Sequence, residues 1–215
     1  MRDVPDVRFR LSSLEATEVD DTLAELLADD SSRIAPHLHA PLQSGADRVL
    51  KRMGRHWYSA ASYAAAVGRL ADRLPVFALG ADVMTGFPGE TAADHAETVG
   101  LVQSLPFTYL HVFPYSARPG TAAERLGTAV DGRLSRERGA ELRAIGEAKG
   151  AAHRASRAGT AADVVVIGAA DSGGHRHGLT EDYLSVTLDD ASIPRRARFD
   201  ATLVLREREL VAVRR

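Results

Sequence analysis

The 215-residue chain is predicted to be an α/β protein in two parts, a parallel sheet with covering helices followed by a small antiparallel β-barrel. Three observations predict this. Over the first two-thirds, short apolar runs alternate with helical patterns, as parallel strands and their crossover helices require. After a long polar helix the texture changes to short strands separated by Gly, Asp and Ser turns, the spacing of a barrel of about 55 residues. Between these parts, residues 79–91 carry an apolar run with one acid, Asp82, into a Gly-Phe-Pro-Gly turn and directly into a helix start. Ligands of α/β proteins sit at that end of the strands.

The elements follow in order. Val7-Arg8-Phe9-Arg10-Leu11 alternates and reads as a strand ending in Ser12-Ser13, and Val19, Leu23, Leu26 and Leu27 then recur at helical spacing. Residues 34–42 are a second strand, ending in Gln43-Ser44-Gly45. Ser59 caps a helix whose apolar stripe is Tyr63, Ala66, Val67, Leu70 and Leu74. Residues 76–85 are a third strand. Thr91 and Asp94 form a capping box for the next helix, whose free amides point at the same strand end. Residues 107–115 make a fourth strand and 116–133 a loop. A helix over about 134–157 places Leu142, Ile145, Ala148 and Ala152 on one side. Four short strands, 164–167, 183–188, 199–205 and 210–213, form the barrel. The organisation predicted is therefore 1–130, a connecting helix at 131–158, and a barrel at 159–215.

Composition narrows the function. Hydrophobic content of 45% and charged content of 26% suit a globular protein, and no apolar run reaches the roughly 20 residues a membrane span needs. Residues 1–6 are polar, unlike a signal peptide's core, so a cytoplasmic location is expected. The absence of cysteine excludes disulfides and thiolate-held metal within these residues. A net charge of −2 gives no overall attraction to nucleic acid, and residues 153–215, with ten Arg against nine Asp and Glu, carry only +1.

Four strand ends converge if the sheet is barrel-like: Ser12-Ser13-Leu14-Glu15, Gln43-Ser44-Gly45, residues 82–90, and Tyr115-Ser116-Ala117-Arg118. Their hydroxyls, carboxylates, amide and arginine suit a polar ligand carrying both ammonium and carboxylate, although any single one could be an ordinary turn or cap residue. Asp82, inside an apolar strand, requires a partner. Glu90 reads either as a ligand contact or as an acid at a helix N-terminus. His37 and His39 share a strand face, but with no third ligand evident they read as a satisfied core or lumen pair, so no metal site is expected. His175 and His177 fall in a Gly-rich, solvent-exposed turn. Arg195, Arg196 and Arg198 cluster as basic loops of RNA-binding barrels do, or simply as a solvated surface.

Several of these segments resemble known motifs. Leu11-Ser12-Ser13-Leu14-Glu15, His37-Leu38-His39-Ala40-Pro41-Leu42-Gln43-Ser44-Gly45, Asp47-Arg48-Val49-Leu50-Lys51-Arg52-Met53, Gly86-Phe87-Pro88-Gly89-Glu90-Thr91 and His111-Val112-Phe113-Pro114-Tyr115-Ser116-Ala117-Arg118-Pro119-Gly120-Thr121 are similar to consecutive motifs of the radical S-adenosylmethionine methylthiotransferases. Gly178-Leu179-Thr180-Glu181-Asp182-Tyr183 resembles the signature of their TRAM domain, a small RNA-binding barrel. Within the family, the first and last barrel motifs most resemble enzymes that modify threonylcarbamoyladenosine beside the tRNA anticodon.

The resemblance implies a fold, the last four of six strands of a radical S-adenosylmethionine barrel followed by the TRAM barrel. It implies a chemistry as well. A reduced [4Fe–4S] cluster cleaves S-adenosylmethionine to a radical that abstracts hydrogen from the adenine ring, and a methylthio group is installed. Ser13, Glu15, Gln43, Ser44, Asp82, Gly86 and Ser116 would face S-adenosylmethionine, and Arg118, Arg195, Arg196 and Arg198 would face tRNA. No catalytic side chain is implied. The family's Cys-x₃-Cys-x₂-Cys loop is absent, so no cluster is ligated by this chain. The expectation is therefore a C-terminal fragment, inactive alone, whose partners are tRNA and the missing N-terminal portion. The alternative expectation is a non-catalytic RNA-binding protein acting through residues 159–215.

Overall fold

The computed structural model describes residues 7–29, 33–127, 130–207 and 209–215; the polar stretch 1–6 lies outside them. The first part is a four-stranded parallel sheet in the order β1-β2-β3-β4, built from β1 (Phe9–Ser12), β2 (Ile34–His39), β3 (Ala78–Thr85) and β4 (Tyr109–Pro114). Its connecting helices are α1 (Asp21–Ala28), α2 (Asp47–Arg52), α3 (Ala60–Arg73) and α4 (Ala92–Ser104), and α5 (Gly132–Ser156) follows β4. Ser59 and Thr91 each complete a capping box, the latter with Asp94 as expected.

The two faces of this sheet differ. Leu38, Leu79, Ala81 and Val83 point into one apolar core with Tyr63, Val67, Leu70 and Leu142 from α3 and α5. The alternate positions are polar, and the register sets them in rows: Ser12, His39, Gly80 and Tyr109 lie side by side across all four strands, with Asp82 beside His111 one row further on. Parallel sheets ordinarily bury both faces under apolar cover. A polar face here is the exception to that rule.

Helix α5 seats against β4 through a stripe different from the one its apolar residues predict. Its buried positions are Ser135, Arg138, Gly139, Leu142 and Gly146, whereas Ala148 and Ala152 face solvent. Close approach explains the difference: a Cβ at Gly146 would stand 3.2 Å from Leu110, and one at Gly150 would stand 2.9 Å from the Thr108 carbonyl. Arg138 carries a charge into this contact and meets Glu90 at 2.7 Å, both side chains being less than a tenth exposed.

The second part is a closed barrel of β5 (Ala161–Ile167), β6 (His177–Thr180), β7 (Ser185–Leu188), β8 (Arg198–Arg206) and β9 (Glu209–Arg214) in the cyclic order β5-β6-β7-β9-β8. It is mixed rather than antiparallel, since β7 and β9 run parallel. Parity requires this, because an odd ring of strands cannot alternate direction throughout. The strand that sequence reading missed is β6. Its Gly178 looks like a turn residue, but a Cβ there would come within 2.4 Å of Val164, so packing demands glycine inside the strand. Accordingly His177 opens a strand instead of sitting in the turn, and Tyr183 leaves strand geometry with φ of 69° before β7 begins.

Charges join the two parts. Arg8 pairs with Asp163, and Arg10 donates to the carbonyls of Thr180 (3.1 Å) and Glu181 (3.3 Å), so the β1 edge is partly covered by the barrel. From the end of α5, Arg157 reaches Glu181 (2.5 Å) and Asp182 (2.9 Å), and His153 reaches Asp182 (2.9 Å). Removing one partner of a buried pair strands the other charge. Glu90→Gln should therefore lower unfolding free energy in urea by about 3–5 kcal/mol, while exposed Glu137→Gln should change it by less than about 0.5 kcal/mol.

Candidate functional site

The polar rows of the sheet open into a cleft of about 360 Å³ lined by Arg10, Ser12, Ser13, His37, His39, Asp82, Tyr109, His111 and Tyr183. A larger groove lies on the small barrel, lined from β7, β8 and β9 and by Asp171, His175 and His177. The cleft has the greater chemical interest, because it gathers imidazoles, a carboxylate, hydroxyls and a guanidinium at the carboxyl ends of parallel strands.

Gly80 organises the cleft. A Cβ at this position would lie 1.9 Å from Cζ of Tyr109, so only glycine lets that ring lie across β3. The Tyr109 hydroxyl thereby reaches His37 Nε2 at 2.8 Å and His39 Nδ1 at 3.1 Å. His39 Nε2 then lies 3.2 Å from Asp82 Oδ1, and His111 Nδ1 approaches the same oxygen at 3.4 Å. Tyr183 closes the side of the cleft, its ring 4.7 Å from His37 and 5.3 Å from Tyr109, with the Arg10 guanidinium 4.7 Å from its centroid.

Electrostatics follow from this burial. His37 is pushed down to about 3 by burial and by the Arg10 charge, so it is neutral at ordinary pH. Burial pushes the Tyr109 phenol up, so it keeps its single proton, which can go to one histidine while the other donates to the phenol oxygen. Burial tends to raise Asp182, but hydrogen bonds from His153 and Thr180 and the Arg157 charge hold it below the usual carboxylate range. Asp182 thus stays ionised and fixes the turn that presents Tyr183.

The structure separates the sequence-predicted residues into two groups. Ser13 directly follows β1, Gln43 lies four residues beyond β2 and Asp82 sits within β3, and Ser13 and Gln43 both have positive φ, 60° and 64°, which costs a non-glycine residue about 1–3 kcal/mol. Such strain clusters at ligand sites. Other predicted residues are engaged internally. Ser44 is buried against Thr98 (3.3 Å) and accepts the Ala46 amide, and Glu15 pairs with Arg55 at 3.0 Å. The Gly86 amide donates to Glu90 (2.7 Å), and the carbonyls of Pro88 and Gly89 accept from Arg52 and Arg48. Ser116 and Arg118 are exposed in the loop after β4. Arg195 and Arg196 are exposed on the turn before β8, whereas Arg198 is paired with Asp163 at 2.5 Å.

Sequence reading missed Tyr109, His111 and Tyr183. Only strand register reveals the first two, and Tyr183 arrives from 74 positions beyond Tyr109. His37 and His39 do share the open face, and His39 does acquire further potential ligand groups, Asp82 and His111. His175 and His177 both face Asp171, His177 at 3.1 Å.

No protein-family profile matches the chain. Comparison with curated proteins finds a threonylcarbamoyladenosine tRNA methylthiotransferase of Bacillus subtilis (strain 168), 43% identical over 140 residues, 65% of this chain and 31% of the relative. The protein of that name from Thermotoga maritima is 41% identical over 133 residues, covering 62% of this chain and 30% of its own length. A tRNA-2-methylthio-N(6)-dimethylallyladenosine synthase of Anaeromyxobacter sp. (strain K) is 36% identical over 209 residues, 91% of this chain and 44% of the relative. The chain therefore spans about a third to under a half of the length of these relatives.

Two measurements test the cleft. The His37 ring proton should show no titration by NMR between pH 5 and 8. Because its folded value lies below the ordinary 6.5, the unfolded chain binds the extra proton first, so stability should fall as pH drops from about 6.5 toward 3, and His37→Asn should flatten that slope. Gly80→Ala should cost about 1–3 kcal/mol through overpacking against Tyr109. The helix-interior control Gly68→Ala, with open space around it, should gain about 0.5–1 kcal/mol.

Proposed function

Because this chain belongs to the tRNA methylthiotransferase family, over part of its relatives' length, we propose that it forms the cofactor-facing and tRNA-facing part of an enzyme that adds a methylthio group to threonylcarbamoyladenosine beside the anticodon by radical S-adenosylmethionine chemistry. The observation that carries this reading is the polar face of the parallel sheet, with two strained non-glycine residues, Ser13 and Gln43, beyond its strand ends.

The donor set suits S-adenosylmethionine, which carries an ammonium, a carboxylate and ribose hydroxyls. Asp82 offers a carboxylate for the ammonium, Arg10 a guanidinium for the carboxylate, and Ser12 and Ser13 hydroxyl groups for the rest, while Gln43 would act from the loop after β2. Held by these residues, S-adenosylmethionine would supply radical chemistry at the adenine ring only with a reduced cluster provided from outside the 215 residues. The chain's own work is positioning and exclusion of water: Tyr109 and Tyr183 present aromatic faces on which a base can stack. The [4Fe–4S] cluster does not fit these residues, since no thiolate exists among the 215. In this reading the cluster ligands come from a portion outside them, and the chain alone is inactive. Glu15, Ser44 and Gly86 act by shaping the strand-end loops, and Ser116 and Arg118 are exposed in the loop that follows β4.

Substrate choice rests on the identities. Similarity to the threonylcarbamoyladenosine enzymes is higher, 43% against 36%, while the similarity to the dimethylallyladenosine enzyme extends over more of the chain. For tRNA, exposed Arg195 and Arg196 on the barrel turn are the contacts we favour, with Arg198 set aside by its pairing to Asp163. The cytoplasm, where tRNA is processed, is the location that goes with this reading.

A second reading, a non-catalytic RNA-binding protein working through the small barrel, shares those arginines. Anaerobic reconstitution with iron and sulfide separates the two in part: the chain alone should retain no acid-labile sulfide and should not cleave S-adenosylmethionine. Retained sulfide would sink the proposal. Calorimetric binding of S-adenosylmethionine, weakened about 10-fold or more in Asp82→Asn, is expected for the enzyme part and not for a pure RNA binder. In gel shifts with anticodon stem-loops, Arg195→Ala with Arg196→Ala should weaken binding and flatten its salt dependence by about two phosphate contacts.

A further inference from the structure

We infer that His39, Asp82 and His111 form a binding site for a single divalent transition-metal ion, held by two imidazole nitrogens and one carboxylate oxygen with its remaining positions open to the cleft. The inference does not rest on the methylthiotransferase reading, although the ion and the ammonium of S-adenosylmethionine would use the same Asp82 carboxylate and so exclude one another there. It needs neither S-adenosylmethionine nor an iron–sulfur cluster.

Distance is the first argument. Zinc-type ions bind imidazole nitrogen and carboxylate oxygen at about 2.0–2.2 Å, so neighbouring ligand atoms of a tetrahedral site stand about 3.3–3.5 Å apart. Here Asp82 Oδ1 lies 3.2 Å from His39 Nε2 and 3.4 Å from His111 Nδ1. All three residues can offer atoms lying within 4.8 Å of one another, and the His111 side chain, 64% exposed, is free to turn onto a common centre.

The scaffold is the second argument. Asp82 and His111 are direct register partners on β3 and β4, and His39 stands beside Gly80 on the neighbouring strand, so three adjacent parallel strands deliver one ligand each to one face. Three protein ligands with open positions is the arrangement of sites that also take water or an anionic oxygen donor, and two histidines with one carboxylate suit Zn²⁺, Co²⁺ or Fe²⁺ rather than Mg²⁺.

The surroundings are the third argument. A metal-bound imidazole ordinarily gives its other nitrogen to a hydrogen-bond partner that fixes the tautomer. His39 Nδ1 is 3.1 Å from the Tyr109 hydroxyl, so with the metal on Nε2 the Nδ1–H donates to the phenol oxygen and the ring is aimed at Asp82 and His111. Gly80, by admitting the Tyr109 ring, makes that support possible. Beyond the ligands, the hydroxyls of Ser12 and Ser13 and the Arg10 guanidinium line the cleft into which the open positions face, and they favour an anionic oxygen ligand there.

The test uses the whole chain, stripped with chelator and titrated with Co²⁺, which reports four- or five-coordinate geometry by its visible absorption; elemental analysis after dialysis gives the stoichiometry. One Co²⁺ per chain with an intense visible band, displaced by Zn²⁺, is expected. His111→Ala and Asp82→Asn should each weaken binding about 100-fold or more, and Tyr109→Phe about 10-fold, the effect typical of losing a supporting hydrogen bond. His175→Ala with His177→Ala, which removes the other histidine pair, should leave the band and the stoichiometry unchanged. His111 is exposed, so its variant keeps the fold even should Asp82→Asn melt early, and thermal melting checks both. No retained Co²⁺ in the wild type, binding in His111→Ala equal to wild type, or loss of binding in the His175/His177 double variant would each overturn the site. Sulfide analysis of the same samples keeps this outcome separate from that of the preceding proposal, since a single ion brings no sulfide.

Discussion

Close packing between Gly80 and Tyr109 is the constraint on which the polar face depends. Only a residue without Cβ lets an aromatic ring lie across β3, and only a ring in that place can hold His37 and His39 by one hydroxyl. With the histidines so held, Asp82 acquires its nearest cationic or proton-bearing neighbours, which answers the desolvation problem of a carboxylate inside an apolar strand. The sheet thus carries a hydrophobic face that folds it and a hydrogen-bonded face that is rigid before any ligand arrives.

The small barrel is bound into this arrangement through charge. Glu181 and Asp182 leave β6 beside Arg157 and His153 at the end of α5, while Arg8 and Arg10 reach across from β1. Between these contacts Tyr183 is held at a positive φ with its ring over His37. A turn whose sequence resembles a structural signature therefore contributes a wall of the cleft. The two parts of the chain form one site rather than a sheet with a tethered module.

Much of the architecture was legible because it rests on local rules. Alternation of strand and helix, the Ser59 and Thr91 caps and the change of texture before β5 all follow from short-range periodicity and capping. Asp82 could be singled out because an acid in an apolar strand violates those rules. What could not be read depends on register and distance. Glu90 looks like a helix-terminal acid until Arg138, 48 positions later, is seen beside it. His111 looks unremarkable until β4 is aligned with β3. Gly178 reads as a turn residue, yet packing against Val164 requires it inside β6. What the amides and carbonyls of the Gly-Phe-Pro-Gly turn meet is likewise out of reach of the sequence: Glu90, Arg48 and Arg52 engage them.

The odd strand count of the small barrel has a consequence for how it opens. Its parallel closure joins only Thr187 with Val211 and Leu188 with Ala212, while the β8–β9 hairpin beside it is paired over six positions. The ring is therefore a chain of strong ladders fastened by one short clasp, and the broad groove between β7 and β9 lies along that clasp. Opening at those two pairs exposes less than unravelling the hairpin, and exchange of the Asp189 amide, which donates to the Ala212 carbonyl across that seam, reports it. The barrel is a cuff fastened by a two-pair seam, and Tyr183, in the turn before β7, is not one of the residues that fasten it.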